Sequence, residues 1–174
     1  MKLRGHVIKL GDDINTDLII SGRYTKTLDF KEMSRHVFED LCKNLYRRME
    51  GSIIVTGENF GLGSSREEAP VAIKEAGGIA IVAPSYGRIF FRNSINIGLP
   101  ALTADTSRIV DGDELEIFVQ EGKLINHTQS FELDLEPLPP LMTCILKSSG
   151  LVKHLQRQYE LKILNNECAE FKQL

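Results

Sequence analysis

The 174-residue sequence has few of the residues that build metal sites, and those it has are scattered. Its three cysteines, Cys42, Cys144 and Cys168, form no CxxC pair, and its four histidines are equally dispersed. Local metal and disulfide sites usually have cysteines or histidines at short, fixed spacings. We therefore expect reduced thiols, as in a cytoplasmic protein, and no metal held by this chain alone.

Long apolar runs and an excess of positive charge are also missing. The first ten residues contain three cations but lack the apolar core of a secretion signal. No apolar run approaches the roughly 20 residues that a membrane helix needs. The net charge is −3, with 21 Lys and Arg against 24 Asp and Glu, whereas nucleic-acid-binding domains are usually basic. We expect a cytoplasmic globular protein with neither a membrane nor a nucleic-acid partner.

Apolar periodicity predicts an α/β fold built around two strand–helix units. A strand at 52–56 leads through a glycine-rich loop into a helix at 69–76, and a strand at 79–83 leads into a helix at 86–97. Ser85 and Gly98 have the residue types of helix caps at the ends of that second helix. Because strands that alternate with helices pair in parallel, we expect a parallel sheet here.

The rest of the chain predicts further elements within a single domain spanning residues 1–174. Asp29 is suited to cap a helix over residues 30–46, in which apolar residues recur every three to four positions. The other predicted elements are a strand at 7–10, a hairpin of 115–119 with 124–125, a strand at 131–135, and helices at 141–149 and 151–164, followed by a polar tail. Residues 150–174 are interpreted as a C-terminal helical extension.

The most informative segment is Gly-Glu-Asn-Phe-Gly-Leu-Gly-Ser-Ser-Arg-Glu, residues 57–67. Glycines let backbone amides converge on a ligand, and an arginine binds a carboxylate through two parallel hydrogen bonds. A serine hydroxyl is a poor base unless fixed donors stabilise its oxyanion, and a helix start beside a guanidinium supplies such donors. Ser64, Ser65 and Arg66 therefore predict an anion site that contains a hydroxyl.

Two other interpretations of this loop remain open. Ser65 and Glu68 have the spacing of a capping box, in which case Pro70 requires an irregular first turn or a helix that starts nearer Glu67. A glycine-rich loop between a strand and a helix also suits phosphate binding. That second signal is weak because neither the Walker pattern nor a complete dinucleotide fingerprint is present.

Two more segments carry cations in suggestive positions. Residues 21–27, Ser-Gly-Arg-Tyr-Thr-Lys-Thr, place two cations beside a tyrosine, which suits a small polyanionic substrate as well as a solvated loop. Arg88 and Arg92 share one face of the predicted helix at 86–97. These two arginines fit a ligand, a partner or an acidic neighbour, and the sequence does not choose among the three.

Three ordered motifs, residues 11–17, 57–66 and 86–99, resemble those of the small-subunit family of 3-isopropylmalate dehydratases (isopropylmalate isomerases), in the aconitase superfamily. The resemblance covers roughly residues 1–150. It implies a swivelling β/β/α three-layer domain with a central parallel sheet and C-terminal helices. It also implies a hydro-lyase of leucine biosynthesis that acts on a hydroxy-di- or tricarboxylate and works only with a large subunit. In such a heteromer the large subunit carries a [4Fe–4S] cluster, and this chain binds none.

The resemblance further implies roles for individual residues. Ser64 matches the family's catalytic serine, which removes the proton from the carbon next to a carboxylate. Arg66 is expected to bind a substrate carboxylate, with Ser65 hydrogen-bonded alongside. The remaining implied residues are the substrate-binding Arg23, Tyr24, Lys26 and Thr27 in the family's specificity segment and the loop-supporting Asn15, Thr16, Asp17, Gly61 and Gly63.

Lys26 leaves the substrate open among several malate derivatives. Isopropylmalate enzymes tend to have an apolar residue at this place, whereas homoaconitate relatives have a cation. A lysine facing an isopropyl group loses solvation without gaining a partner, unless it directs its charge to solvent and offers only its stem. We expect 3-isopropylmalate dehydratase activity first, with homoaconitate and 2,3-dimethylmalate as alternatives. A non-catalytic anion-binding module is the rival from another class.

Two residues depart from the family pattern within the glycine-rich loop and just after it. Leu62 stands in place of a common cysteine, which costs nothing in cluster binding if the cluster belongs to the other chain. Glu68 stands in place of a common histidine and adds a second negative charge near Arg66.

Overall fold

Seven strands form one mixed sheet in the order β4-β3-β2-β1-β5-β6-β7. This computed structural model describes residues 1–27 and 29–170, with side chains up to residue 160 in the last helix. Strands β1 to β4 pair in parallel, and β1 also pairs antiparallel with β5, which continues into β6 and β7. The strands are β1 Lys2–Lys9, β2 Ile53–Val55, β3 Ala80–Ala83, β4 Ala101–Thr103, β5 Glu114–Phe118, β6 Lys123–Asn126 and β7 Phe131–Asp134.

Helices cover both faces of this sheet. Alternate residues of β2 enter two separate cores, because Ile54 packs in one and Ile53 in the other. The first core includes Ile73 of α3, and the second includes Ile145 of α5. The predicted α/β fold with a parallel central portion is confirmed. The helices are α1 Thr16–Ile19, α2 Phe30–Ser34, α3 Glu68–Glu75, α4 Arg88–Asn96, α5 Pro140–Lys147 and α6 Leu151–Glu170, with a 3-10 turn at Leu45–Arg48.

The predicted helix over residues 30–46 is wrong beyond its first five residues. Asp29 does cap α2, since its side chain accepts hydrogen bonds from two backbone amides of the first turn. The helix ends at Ser34, and Phe38 and Asn44 adopt positive φ angles of 56° and 63°. The Phe38 amide donates to Ile19 O at 2.8 Å, and its ring is fully buried. A series of turns, and not a continuous helix, buries this ring. The apolar spacing of residues 30–46 therefore only resembles that of a helix.

Two predicted helix caps are also wrong. Helix α4 begins at Arg88 after Gly87, and the Ser85 hydroxyl instead accepts a hydrogen bond from the Asn59 amide at 2.8 Å. Helix α3 begins at Glu68 with no side-chain cap, so Ser65 forms no capping box. Pro70 is the third residue of α3, where a helical amide needs no partner within the helix.

The C-terminal helix is longer than predicted. Helix α6 runs from Leu151 to Glu170, so the expected polar tail is helical at least as far as Glu170. The rest of that tail, residues 171–174, lies outside the described residues, as does the side chain of Cys168. Within the described part of the chain, no helix is long and apolar enough to cross a membrane. The assignment of residues 1–174 to one domain stays a prediction.

Candidate active site

The three sequence motifs meet at one edge of the sheet. Each follows the carboxyl end of a parallel strand, β1, β2 or β3, and such ends lie together in a parallel sheet. Backbone hydrogen bonds join the resulting loops directly. Gly61 N donates to Ile14 O at 2.7 Å, and Gly87 N donates to Phe60 O at 2.8 Å. The glycine-rich loop is therefore held between the first motif and the start of the third.

Gly61 lets this loop pass over the aromatic core. Its φ angle is +76°, and a Cβ atom at this position would lie 2.2 Å from Cγ of Phe90. The Phe90 ring packs edge-on against Phe60, with centroids 5.1 Å apart. Gly63 turns the chain toward Ser64 with φ +98°, but its Cβ would meet no atom closer than 3.6 Å. Of these two glycines, Gly61 is thus constrained both by its backbone angle and by its neighbours, whereas Gly63 is constrained by its backbone angle alone.

A pair of alanine substitutions separates these two constraints. Gly61→Ala is expected to lower the free energy of unfolding by about 2–4 kcal/mol, because it adds a steric clash to an unfavourable backbone angle. Gly63→Ala carries only the backbone cost of about 1–2 kcal/mol. Urea unfolding of the two variants measures the difference, and equal losses would contradict the role of Phe90.

Ser64 lies exposed at the tip of the loop with one side of its hydroxyl held by the protein. Its Oγ is 3.1 Å from Oγ1 of Thr16, and the Thr16 hydroxyl also donates to Ser64 O at 3.2 Å. Thr16 is 1% exposed, and its amide donates to Leu62 O at 2.9 Å. Asn15 caps α1 by accepting from Leu18 N at 3.0 Å, which fixes Thr16 in the first turn of that helix.

The sequence predicted that the start of a helix would supply hydrogen-bond donors to a Ser64 oxyanion, and this prediction is wrong. Helix α3 begins at Glu68, four residues after Ser64, so its first turn does not start at the hydroxyl. The donor beside Ser64 is the Thr16 hydroxyl, which can turn from the Ser64 carbonyl to Oγ. Ser65 is exposed next to it. The Glu68 carboxylate lies in the first turn of α3, where a negative charge is favoured by the helix dipole.

Arg66 joins the glycine-rich loop to α1 and to the turn at residues 21–27. Its side chain is 24% exposed, forms an ion pair with Asp17, and donates from Nη1 to Ile20 O at 3.0 Å. Its Nη2 lies 3.2 Å from the position that a Cβ on Gly22 would occupy. The guanidinium is thus partly buried beside a carboxylate that is 62% exposed. A ligand carboxylate competes only with that solvated partner.

The residues predicted in the specificity segment line one cavity of about 380 Å³. Lys26 is exposed there and has no ion-pair partner among the described residues. Thr27 accepts a hydrogen bond from Asp29 N at 3.0 Å, and Arg23 pairs with Asp40 at 2.6 Å. The cavity is lined by the predicted Arg23, Tyr24, Lys26 and Thr27 and by Glu32, Met33 and His36, which the sequence did not indicate.

An aromatic stack and a carboxylate fix Tyr24 at the wall of this cavity. The Tyr24 and His36 rings stack with centroids 3.7 Å apart and planes within 6°. The neighbouring Glu39 carboxylate raises the pKa of Tyr24, and Tyr24 together with His36 lowers the pKa of Glu39. Nδ1 of His36 is 2.9 Å from Oε2 of Glu39. No local pattern could have indicated this contact, because the helical periodicity of residues 30–46 was misleading.

The cysteines and histidines of the described chain do not assemble a metal site. Cys42 lies exposed in the turns after α2, and Cys144 lies exposed on α5. Across residues 1–27 and 29–160, no three His, Cys, Asp or Glu side chains come together in a metal-binding arrangement. The described side chains therefore do not fit a [4Fe–4S] cluster.

The chain is thus an α/β domain in which a glycine-rich loop presents a serine and an arginine at the carboxyl edge of a partly parallel sheet. Residues 6–107, which contain all three motifs, match the aconitase C-terminal domain family, and the chain belongs to that family. The resemblance inferred from the three motifs is confirmed.

Individual relatives match almost the whole chain. It is similar to 3-isopropylmalate dehydratase small subunit 2 of Archaeoglobus fulgidus, at 45% identity over 94% of this chain and 100% of that one. It is also similar to the methanogen homoaconitase small subunit of Methanothermobacter thermautotrophicus, at 43% identity over 95% and 97%. A crystal structure of 3-isopropylmalate dehydratase from Methanocaldococcus jannaschii superposes with a TM-score of 0.91 and 38% identity, covering 95% of this chain and 99% of that one.

Proposed function

We propose that this chain is the small subunit of a hydro-lyase of the 3-isopropylmalate dehydratase type, active only with a large subunit that carries the iron–sulfur cluster. The relatives named as small subunits of this enzyme support the assignment. The observation that carries it is the exposed Ser64 hydroxyl, held by Thr16 on one side, in the same loop as the partly buried Arg66 guanidinium. The proposed base and the proposed carboxylate-binding group are thus separated by one residue in the sequence.

The chemistry of this chain is a proton transfer next to a bound carboxylate. Arg66 binds the carboxylate and Ser65 hydrogen-bonds alongside it. Ser64 Oγ, as the oxyanion, takes the proton from the adjacent carbon, and the Thr16 hydroxyl donates to Oγ before the transfer. The cluster on the partner, when bound, supplies Lewis-acid chemistry at the leaving hydroxyl. Rehydration uses the same groups in reverse, with Ser64 returning the proton.

The exposure of Ser64 supports the need for a partner. Electrostatic stabilisation of an oxyanion is strong only where water is excluded. Thr16 covers one side of the hydroxyl, and the other side faces solvent in this chain alone. A large subunit that covers the loop would supply the missing wall. The chain is therefore expected to have no turnover by itself.

The cavity beside Lys26 receives the variable side group of the substrate. Its walls combine the buried Met33 with the exposed Lys26, so it can accommodate an apolar branch or a distal carboxylate. 3-Isopropylmalate is the first assignment because most of the named relatives carry that activity. Homoaconitate is the second, supported by Lys26 and by the homoaconitase relative. 2,3-Dimethylmalate is the third candidate, because it is a small branched malate that the same cavity could accommodate.

The direct test is to purify this chain together with its large subunit under anaerobic conditions and assay a panel of malate derivatives. We expect reversible dehydration of at least one hydroxy-di- or tricarboxylate, and no activity from either chain alone. A stable heteromer that turns over none of them, while this chain still binds carboxylates, would favour the non-catalytic anion-binding module instead.

Replacing Lys26 with valine tests the substrate assignment. The ratio of kcat/KM for 3-isopropylmalate to that for homoaconitate is expected to rise about ten- to a hundredfold, because a charged hydrogen bond to the distal carboxylate is lost. Lys153→Val on α6 removes a lysine that does not line the cavity and serves as the matched control. An unchanged ratio in the Lys26 variant would place its ammonium outside the substrate site.

A further inference from the structure

His36 holds Tyr24 through an aromatic stack. The two rings lie parallel with centroids 3.7 Å apart, the closest aromatic pair in the described chain. Stacked aromatic pairs add stability beyond the area that they bury. Glu39 holds the other ring of the pair, because its carboxylate lies 2.9 Å from Nδ1 of His36. The tyrosine ring therefore cannot turn without breaking the stack on an imidazole that is itself fixed.

This contact joins a short turn to the segment that follows α2. Tyr24 N donates to Ser21 O at 2.9 Å, and the Thr25 hydroxyl donates to Gly22 O at 3.1 Å, so the turn is closed internally. His36 connects it to the residues that follow α2. Arg23 adds a second, more exposed tie through Asp40 at 2.6 Å, and exposed ion pairs contribute little.

The turn is positioned between the carboxylate-binding arginine and the cavity. Arg66 Nη2 lies against Gly22, and the cavity begins at the next residues, Arg23 and Tyr24. A substrate whose carboxylate binds Arg66 thus directs its side group past Tyr24. The position of the Tyr24 ring and the direction of Lys26, two residues later, decide which side groups fit.

We propose that His36 is a positioning residue for substrate preference: by stacking on Tyr24, His36 sets the cavity wall that faces the substrate's variable side group. This inference rests on the proposed hydro-lyase function. His36 does not touch the reacting atoms, and it acts only through Tyr24. Its removal changes the relative use of substrates rather than the proton transfer at Ser64.

The test uses the reconstituted heteromer with 3-isopropylmalate and homoaconitate. His36→Ala is expected to change the ratio of the two kcat/KM values by about three- to tenfold, the factor that corresponds to one aromatic stacking contact. His36→Phe retains a flat ring and is expected to restore most of the ratio. It also replaces the alanine variant if that one fails to fold. His154→Ala on α6 is the matched control, since this histidine does not line the cavity and its side chain is hydrogen-bonded to Ser148, just after α5.

A double-mutant cycle decides whether His36 acts through Tyr24. The ratio of the two kcat/KM values in the double variant His36→Ala, Tyr24→Ala is expected to equal that in Tyr24→Ala alone, since the effects of substituting coupled residues are not additive. Additive changes, or equal losses on both substrates with His36→Ala, would overturn the proposal.

A spectroscopic measurement on the isolated chain keeps this result separate from the proposed function. The imidazole protons of His36 should show an upfield ring-current shift in NMR spectra that disappears in Tyr24→Leu. Absence of that shift would overturn the stacking contact itself. If the shift is present but the heteromer dehydrates no hydroxy acid, the proposed function fails while the contact stands. If the heteromer is active and the ratio of the two kcat/KM values is unchanged in His36→Ala, only the positioning role fails.

Discussion

Replacing Ser64 with alanine is expected to lower kcat of the reconstituted enzyme about 10²- to 10⁴-fold, the range that a positioned general base contributes. Substrate binding should change little, because Arg66 and the cavity at residues 23–27 remain in place. Both kcat and kcat/KM should therefore fall together, as they do when a group acts mainly in the transition state. Anaerobic steady-state kinetics and separate binding measurements give the two quantities.

Two neighbouring hydroxyls provide matched controls for that result. Ser65→Ala removes a hydroxyl from the adjacent residue and should cost much less in kcat than Ser64→Ala. Thr16→Val removes the donor 3.1 Å from Ser64 Oγ while keeping the shape of a buried side chain. It should give an intermediate loss, since one oxyanion donor is worth up to about 10²–10³ in kcat. Undiminished turnover in the Ser64 variant would rule out its role as the base.

The outcome also separates the enzyme from its rival. In a non-catalytic anion-binding module, the Ser64 hydroxyl could only donate to the bound anion. The substitution would then weaken binding about threefold to tenfold, the value of a single hydrogen bond, and would affect no turnover. The two hypotheses thus predict opposite patterns in kcat and Kd for one variant.

Local sequence patterns predicted the elements whose conformation is determined mainly by their own residues. The buried runs at β2 and β3 and the helix pattern that became α3 were recognisable because apolar periodicity and glycine punctuation agree there. The order of the sheet was not predictable in this way. Strand β1 lies between β2 and β5, and its pairing with β5 brings Lys2 opposite Phe118, far apart in the sequence.

The misassigned helix at residues 30–46 has a physical cause. Its apolar spacing is real, but Phe38 is buried through a positive φ angle and a hydrogen bond to Ile19. Tertiary burial of one aromatic ring thus outweighs helix propensity, which is small per residue. A single sequence records that Phe38 is apolar, but it does not record which way the backbone turns to bury it.

In the candidate site, too, some residues could be predicted from local sequence and others could not. Ser64 and Arg66 stand in a local pattern of glycines, hydroxyls and a cation, so the sequence alone could indicate them. The contact of Thr16 with Ser64 crosses 48 residues, and the stack of His36 on Tyr24 crosses the region whose secondary structure was mispredicted. The residues proposed to bind a carboxylate or to act as the base can therefore be recognised from the sequence, whereas the residues that hold them in place depend on the fold.

Replacing Arg66 with glutamine is the second change with a large expected effect. Loss of the guanidinium should lower kcat/KM about 10²- to 10³-fold, because the substrate carboxylate, buried in the complex, loses its charged partner. Arg66→Lys should recover only part of this loss, since an ammonium does not form the bidentate pair that a carboxylate accepts from a guanidinium. Most of the change should appear in KM, and calorimetric titration with the substrate would measure the loss of binding directly.

Asp17 supplies the control that distinguishes carboxylate binding from a structural role of Arg66. Asp17→Asn removes the intramolecular ion pair but keeps the hydrogen bond of Arg66 to Ile20 O. Because Asp17 is largely exposed, its pair contributes little to stability, about 1 kcal/mol or less, and its loss frees the guanidinium for a ligand. KM should then stay the same or fall. If Asp17→Asn instead raises KM as much as Arg66→Gln, the arginine serves to hold α1 against the glycine-rich loop, and the substrate carboxylate must be bound by the partner subunit.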